Sequence, residues 1–311
     1  MFFPISDVFI NPLYLILVGF LVGILGGFFG VGGGFIAAPA LFWTGMPLNI
    51  VVGTDLAHMT GKSIVAAKRH NALGHVDIRL GVVMVAGTVL GIEAGAQMIE
   101  ALKPTGQLDL VVGSIYVVVL LGISIFTAWE SITALRMMNK QHEGEQHELL
   151  EKADDEDVLA FQGLARWLLR IRIWPMISFP TSGIAEVSLW IVLGVGFFTG
   201  ILAGFLGVGG GFIRMPMLVY FIGVPTHIAV GTDLFEIIIS AGYGTLTHAL
   251  KGNVDILVAL VMQTGAAVGA QIGAASTTYV AGPRIRLLFS ALPLIGVILI
   301  LVRLISGDGG F

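Results

Sequence analysis

From Val8 to Thr54 the chain carries no charged residue, and the same holds from Val187 to Ile213 and from Ile256 to Pro283. Each run exceeds the roughly 20 residues that a helix rising 1.5 Å per residue needs to cross hydrocarbon. Backbone groups in hydrocarbon must be satisfied internally, which favours helices. The composition agrees. Charged residues make up 12% of the 311 and apolar residues 56%, whereas a soluble domain carries about 25% charged residues. The expected class is an all-α integral membrane protein. Cysteine is absent, which excludes disulfides, thiolate catalysis and Cys-ligated metals. The opening MFFPISDVFINPLYL lacks the basic stretch of a secretory signal and reads as the lead-in to the first span.

Self-similarity sets the architecture. Gly23-Ile24-Leu25, Gly27-Phe28 and Gly30-Val31-Gly32-Gly33-Gly34-Phe35-Ile36, with Pro39 and Leu41, return as Gly200-Ile201-Leu202, Gly204-Phe205 and Gly207-Val208-Gly209-Gly210-Gly211-Phe212-Ile213, with Pro216 and Leu218. After a one-residue slip the copies agree again at Gly53-Thr54-Asp55 and Gly231-Thr232-Asp233, at His70 and His248, and at Val76-Asp77-Ile78 and Val254-Asp255-Ile256. Gly87, Gly91 and Gly95 match Gly265, Gly269 and Gly273. The chain therefore divides into a first repeat (1–129), a charged cytoplasmic connector (130–186) and a second repeat (187–311).

Each repeat reads as a first span (Pro12 to Phe29; Val187 to Leu206), a short apolar half-helix after the Gly-rich turn (Phe35 to Thr44; Phe212 to Ile222) and a helix from Asn49 or His227. Two further spans follow in each. Four or five crossings result, depending on whether the half-helix counts. The distribution of Lys and Arg places the connector inside but ties on parity. Short helices near a midplane site are a frequent plan of inverted-repeat transporters, so inverted copies are expected. In the connector, Gln141–Asp157 reads as a solvated acidic run, and Val158–Trp174 as an interfacial amphipathic helix.

Several residues invite chemistry. Gly32, Gly33 and Gly34, with Gly209, Gly210 and Gly211, open helices with unblocked N–H groups and a positive dipole end, which suits an anion. Close helix packing explains Gly23 and Gly27. Arg214 and Lys62 are cations within apolar stretches, costly unless paired or met by an anion. Arg214 is expected to supply fixed positive charge to a substrate. Asp55 and Asp233 read as helix N-caps or as coupling residues. His58 aligns with Glu236, and Glu93 with Gln271, so these four are further coupling or structural candidates. Gly61-Lys62-Ser63 resembles the end of a P-loop, but the glycine required five residues before Gly61 is Leu56.

The paired G-x-x-G-x-G-G-G-x-x-x-x-P-x-L and G-T-D frames resemble the TauE/SafE family of sulfite exporters, over both repeats and not the connector. That resemblance implies movement of sulfite, sulfoacetate or other organosulfur anions, often outward. The expected function is thus a secondary transporter of small sulfur-containing anions, an exporter of the bacterial inner membrane and not an enzyme. An anion channel, or a transporter of another small anion, is the alternative. An intramembrane aspartyl protease built on Asp55 and Asp233 is the least favoured reading. No cofactor, metal or nucleic-acid partner is expected. The bilayer and a small anion are, and a homodimer is left open.

Overall fold

The computed structural model describes residues 1–142, 172–206 and 211–306. A small antiparallel hairpin, β1 (Phe2–Phe3) with β2 (Val8–Phe9), leads into α1 (Pro12–Phe29). The Asn11 side chain accepts from the Leu13 N–H, Pro12 takes the first position, and Gly30 at φ 75° ends the helix by donating to Gly26 O. This is Pro at the start and a left-handed Gly at the end, the usual asymmetry of helix termini. There follow α2 (Gly34–Trp43), α3 (Leu48–Ala72), α4 (Ile78–Leu102) and α5 (Leu108–His142). The second half repeats the order with β3 (Met176–Phe179), β4 (Ile184–Ser188), α6 (Leu189–Leu206) and α7 (Gly211–Met217). A π-helical turn (Leu218–Ile222) prolongs α7 before α8 (Thr226–Leu250), α9 (Ile256–Ser276) and α10 (Gly282–Ser306).

The class is all-α membrane, as the sequence predicts. Five helices among the described residues are long and apolar enough to cross a bilayer: Pro12–Phe29, Ile78–Thr105, Leu110–Thr133, Leu189–Leu206 and Ile256–Tyr279. Trp129, Trp174 and Trp190 are exposed, as residues at a lipid–water boundary would be.

Each half is held chiefly by the other. α1 packs on α9 and α4 on α6, while α3 meets α8 and α5 meets α10. A Cβ on Gly19, Gly23 or Gly27 would strike the backbone of Met262, Ala266 or Ala270, and one on Gly265, Gly269 or Gly273 that of Ile16, Phe20 or Ile24. The other pair is built alike: Gly87, Gly91 and Gly95 lie on Leu193, Phe197 and Ile201, and Gly196, Gly200 and Gly204 on Met84, Thr88 and Ile92. Lipid offers no hydrophobic drive for helix association, so close backbone approach through small residues takes its place. Residue numbers rise together along both contacts, so α1 and α9 are parallel, as are α4 and α6. In contrast, α3 and α8 are antiparallel: Gly53 abuts His248, Thr60 abuts Gly242, and Gly231 abuts His70 and His75.

Polar bonds recur in pairs. His70 Nε2 bonds the Gly27 carbonyl at 2.9 Å, and His248 Nε2 that of Gly204 at 3.2 Å. Thr232 Oγ1 accepts from Asp77 N, and Thr54 Oγ1 from Asp255 N, both at 2.8 Å. These bonds correct one expectation. α3 and α8 begin at Leu48 and Thr226, so Asp55 and Asp233 lie well inside their helices and cap nothing. The Asp caps are Asp77, which accepts from Leu80 N, and Asp255, which accepts from Val258 N. The hairpins, too, go beyond the expected lead-in and connector. Ser6 Oγ donates to Asp255 Oδ2 and Ser182 Oγ to Asp77 Oδ2, each at 2.7 Å. The boundary expected at residue 187 falls within β4. The acidic run expected at Gln141–Asp157, apart from its first two residues, and most of the amphipathic segment at Val158–Trp174 lie outside the described residues.

Candidate functional site

The antiparallel crossing of α3 and α8 brings two buried polar groups to the centre of the protein. On α3, Asp55, His58 and Lys62 recur at helical spacing and so share one face. All three are buried. Asp55 Oδ1 lies 3.4 Å from His58 Nδ1. Lys62 Nζ donates to the carbonyl of Gly32, and no ion pair to Lys62 occurs among the described residues. Gly33, at φ 79°, turns the chain into α2. A Cβ on Gly33 would press on Val22 Cγ1 and on Lys62 Nζ, and the left-handed φ itself favours glycine. Tyr116 OH on α5 donates to Gly34 O at 2.8 Å, fixing the same turn from behind.

On α8, Asp233, Glu236 and Ser240 take the corresponding places, and Arg214 reaches them from α7. Arg214 Nη1 donates to Asp233 Oδ1 at 2.8 Å and also pairs with Glu236 Oε2. Arg214 Nε donates to Thr199 Oγ1 of α6 at 3.3 Å, and Ser240 Oγ to Glu236 Oε2 at 2.9 Å. The fixed positive charge expected of Arg214 is therefore offset by two carboxylates. Ala37 holds the corresponding place in the first repeat, and the partners of Arg214 come from the packing of α7 on α8.

The two groups meet at the triple-glycine turn. A Cβ on Gly211 would strike Asp233 Oδ2 on one side and Gly32 N on the other. Gly32 thus lies between Lys62 and Gly211. Gly209 and Gly210 lie outside the described residues. Several buried atoms here have no hydrogen-bond partner: Asp55 Oδ2, His58 Nε2, Ser63 Oγ, Arg214 Nη2, Asp233 Oδ2 and Glu236 Oε1. Buried polar atoms are normally paired, so a cluster of orphans marks a place where a mobile species can bind.

Glu93 and Gln271 do not join this centre. Glu93 is half-exposed, accepts from Gln97 at 2.6 Å and lies 3.9 Å from Lys251. Gln271 is exposed and donates to Ala267 O. Among the described residues no group of three or more His, Asp or Glu is placed to hold a metal ion. Asp55 and Asp233 are each engaged by their own partner, which is not the proton-sharing carboxylate pair that aspartyl proteolysis requires.

The sequence model of the family described as Sulfite exporter TauE/SafE matches residues 15–300. The chain belongs to the TauE/SafE family. It is 23% identical to the Probable membrane transporter protein YunE of Bacillus subtilis, over 84% of this chain and 86% of that one. The Probable membrane transporter protein MJ0441 of Methanocaldococcus jannaschii is also 23% identical, over 89% and 91%. A third relative, YdhB of Bacillus subtilis, described in the same words, reaches 31% over 37% of this chain and 46% of its own. No solved structure matches. Family and relatives together make this a multi-pass membrane transporter.

This TauE/SafE chain holds a further buried charge group that sequence reading missed. Arg286 of α10 lies 3.3 Å from Glu130 of α5 and donates to Thr226 Oγ1 at 2.5 Å, and Tyr220 OH also donates to Glu130. In the sequence Arg286 is one basic residue among several, and Glu130 follows Trp129 at the boundary of the first repeat. A charged residue at the margin of an apolar run reads as interfacial. Only the α5–α10 contact shows that these two are inside.

Proposed function

We propose that this transporter exports small sulfur-containing anions, such as sulfite or organosulfonates, across the bacterial inner membrane. The observation that carries the reading is Lys62. Its ammonium is buried on the Gly32–Gly34 turn and, among the described residues, has no carboxylate in an ion pair, so an anion would complete its charge. An oxyanion with several acceptor oxygens suits a lysine, the backbone N–H groups opening α2, and the orphaned His58 Nε2 together. Gly211 would approach the same ligand from the second half. Asp55, His58, Asp233 and Glu236 are the candidates for coupling its movement to the proton or electrical gradient. The two halves are read as inverted copies. The antiparallel crossing of α3 and α8 supports this reading, since a two-fold relation exchanging them would run across both helices.

The test is direct. Sulfite, sulfoacetate, taurine and isethionate are titrated calorimetrically into the purified protein, and flux of any binder is followed in proteoliposomes. Binding of at least one, lost in Lys62→Met while thermal unfolding stays cooperative, supports the reading. Failure of all four to bind wild-type protein would overturn it.

A further inference from the structure

The Arg214 group has one property that the anion site does not use: its formal charges do not balance. One guanidinium faces two carboxylates, and all three side chains are inaccessible to solvent. An uncompensated charge in a bilayer core costs several kcal/mol, and two carboxylates crowded on one cation cannot both stay ionised cheaply. Among the described residues nothing near supplies a second cation. α6 and α1 have no charged residue. On α4, Arg79 is exposed, Glu93 is drawn to Lys251, and Glu100 is paired with Lys103. On α3, Asp55 and His58 face each other, and Lys62 is turned to Gly32. Arg286 of α10 is held by Glu130 and Thr226. On α8 itself, His248 is bonded to Gly204 O.

We propose that Arg214, Asp233 and Glu236 form a proton-binding site, in which the two carboxyl groups share a single proton and release it to water in one state of the transport cycle. The orphaned oxygens, Asp233 Oδ2 and Glu236 Oε1, are where the proton resides and leaves. When it leaves, a carboxylic acid becomes a carboxylate and the group gains one negative charge. Asp233 Oδ2 borders Gly211, and Gly211 borders Gly32 N, so that charge lies beside the proposed anion position. An anion at Gly32 binds more tightly when the proton is present, and by reciprocity the proton binds more tightly when the anion is present. The two halves thus divide the work: Lys62 attracts the anion, and the Arg214 group meters one proton with it. This coupling rests on the anion reading given above, whereas the proton site itself does not.

Two measurements separate them. Infrared difference spectra of the full-length protein in nanodiscs, between acidic and alkaline buffer, should show the C=O stretch of a buried carboxylic acid. That band should vanish in Glu236→Gln and equally in Asp233→Asn, because either change leaves one carboxylate balanced by Arg214. No such band in wild type, or a band that survives in both variants, would overturn the proton site. Should those variants not fold, Ser240→Ala keeps all three charges and must shift the band, since Ser240 donates to Glu236; an unshifted band removes Glu236 from it. The second measurement is isethionate titration in two buffers of different ionisation enthalpy. Isethionate has no proton to titrate itself. Net proton uptake on binding, with affinity falling about tenfold from acidic to alkaline buffer, is expected in wild type and not in Glu236→Gln. Binding without proton uptake would overturn the coupling. Absence of isethionate binding would remove isethionate as the ligand and the coupling with it, and the infrared band alone would then decide the proton site.

Discussion

Asp55 and Asp233 hold matching places on α3 and α8, both buried and inside the helix, yet their neighbours are opposite in character. Asp55 looks at His58, with Lys62 one turn further along. Asp233 has Glu236 and Ser240 at those same places, and it draws its cation from α7, where the first half has Ala37. The backbone around them is matched bond for bond in the capping aspartates, the histidine contacts and the glycine seams. Duplication has kept the scaffold and let the chemistry at its centre diverge. A symmetric site would bind the same species twice. This one presents a cation on one side and an acid-rich group on the other, which suits two different species.

The largest test of that difference is the removal of each cation. Arg214→Gln strands two carboxylates and should destabilise the protein by about 3–5 kcal/mol, the usual cost of leaving a buried charge without its partner. Lys62→Met breaks no ion pair among the described residues and leaves Asp55 its His58 neighbour, so it should cost less. Thermal and denaturant unfolding in detergent measures both. Equal losses would mean that the two cations are equivalent and the contrast false. For anion affinity the order should reverse: Lys62→Met should weaken binding of a sulfonate that binds wild type by about 1.5–3 kcal/mol, the range for hydrogen bonds to charged groups. The sameness of the scaffold is open to a similar comparison. Gly23→Ala in the α1–α9 seam and Gly200→Ala in the α4–α6 seam each force a methyl against a facing carbonyl. Each should cost about 1–3 kcal/mol, by similar amounts. A loss confined to one seam would show that only that seam needs its close approach.

Much of the scaffold was legible in the sequence, because span length and glycine spacing are local signals. The first span expected at Pro12 to Phe29 is α1, and glycines four apart marked the faces now found in contact. What the sequence withheld was who meets whom. Asp55, His58 and Lys62 share a face by spacing alone and could have been read as one group. Arg214 with Glu236 could not, since their meeting depends on how α7 docks on α8. Arg286 with Glu130 depends likewise on α5 lying along α10. The capping error had a local cause. Gly-Thr-Asp has the composition of a helix start, but Pro47 and Pro225 had already begun the helices. The hairpins were missed because their strands are too short to show alternation.

The hairpins supply the smallest and cleanest test of the matched scaffold. Ser6 and Ser182 are both buried, and each donates at 2.7 Å to the free oxygen of a capping aspartate, Asp255 or Asp77. That aspartate already accepts from the first turn of its helix, so the serine satisfies its second oxygen and fixes its rotamer. Ser6 adds a backbone bond, its N–H reaching Asp255 Oδ2 at 3.2 Å, and this bond survives the loss of the hydroxyl. Ser182→Ala leaves Asp77 Oδ2 without that donor. Both substitutions should therefore destabilise by about 0.5–1.5 kcal/mol, the net worth of one hydrogen bond, with Ser182→Ala the larger by a few tenths. Equilibrium unfolding of the two variants side by side measures the difference. A silent Ser6→Ala beside a costly Ser182→Ala would mean that only the connector-side hairpin clamps its helix. The divergence seen at the centre would then extend into the scaffold.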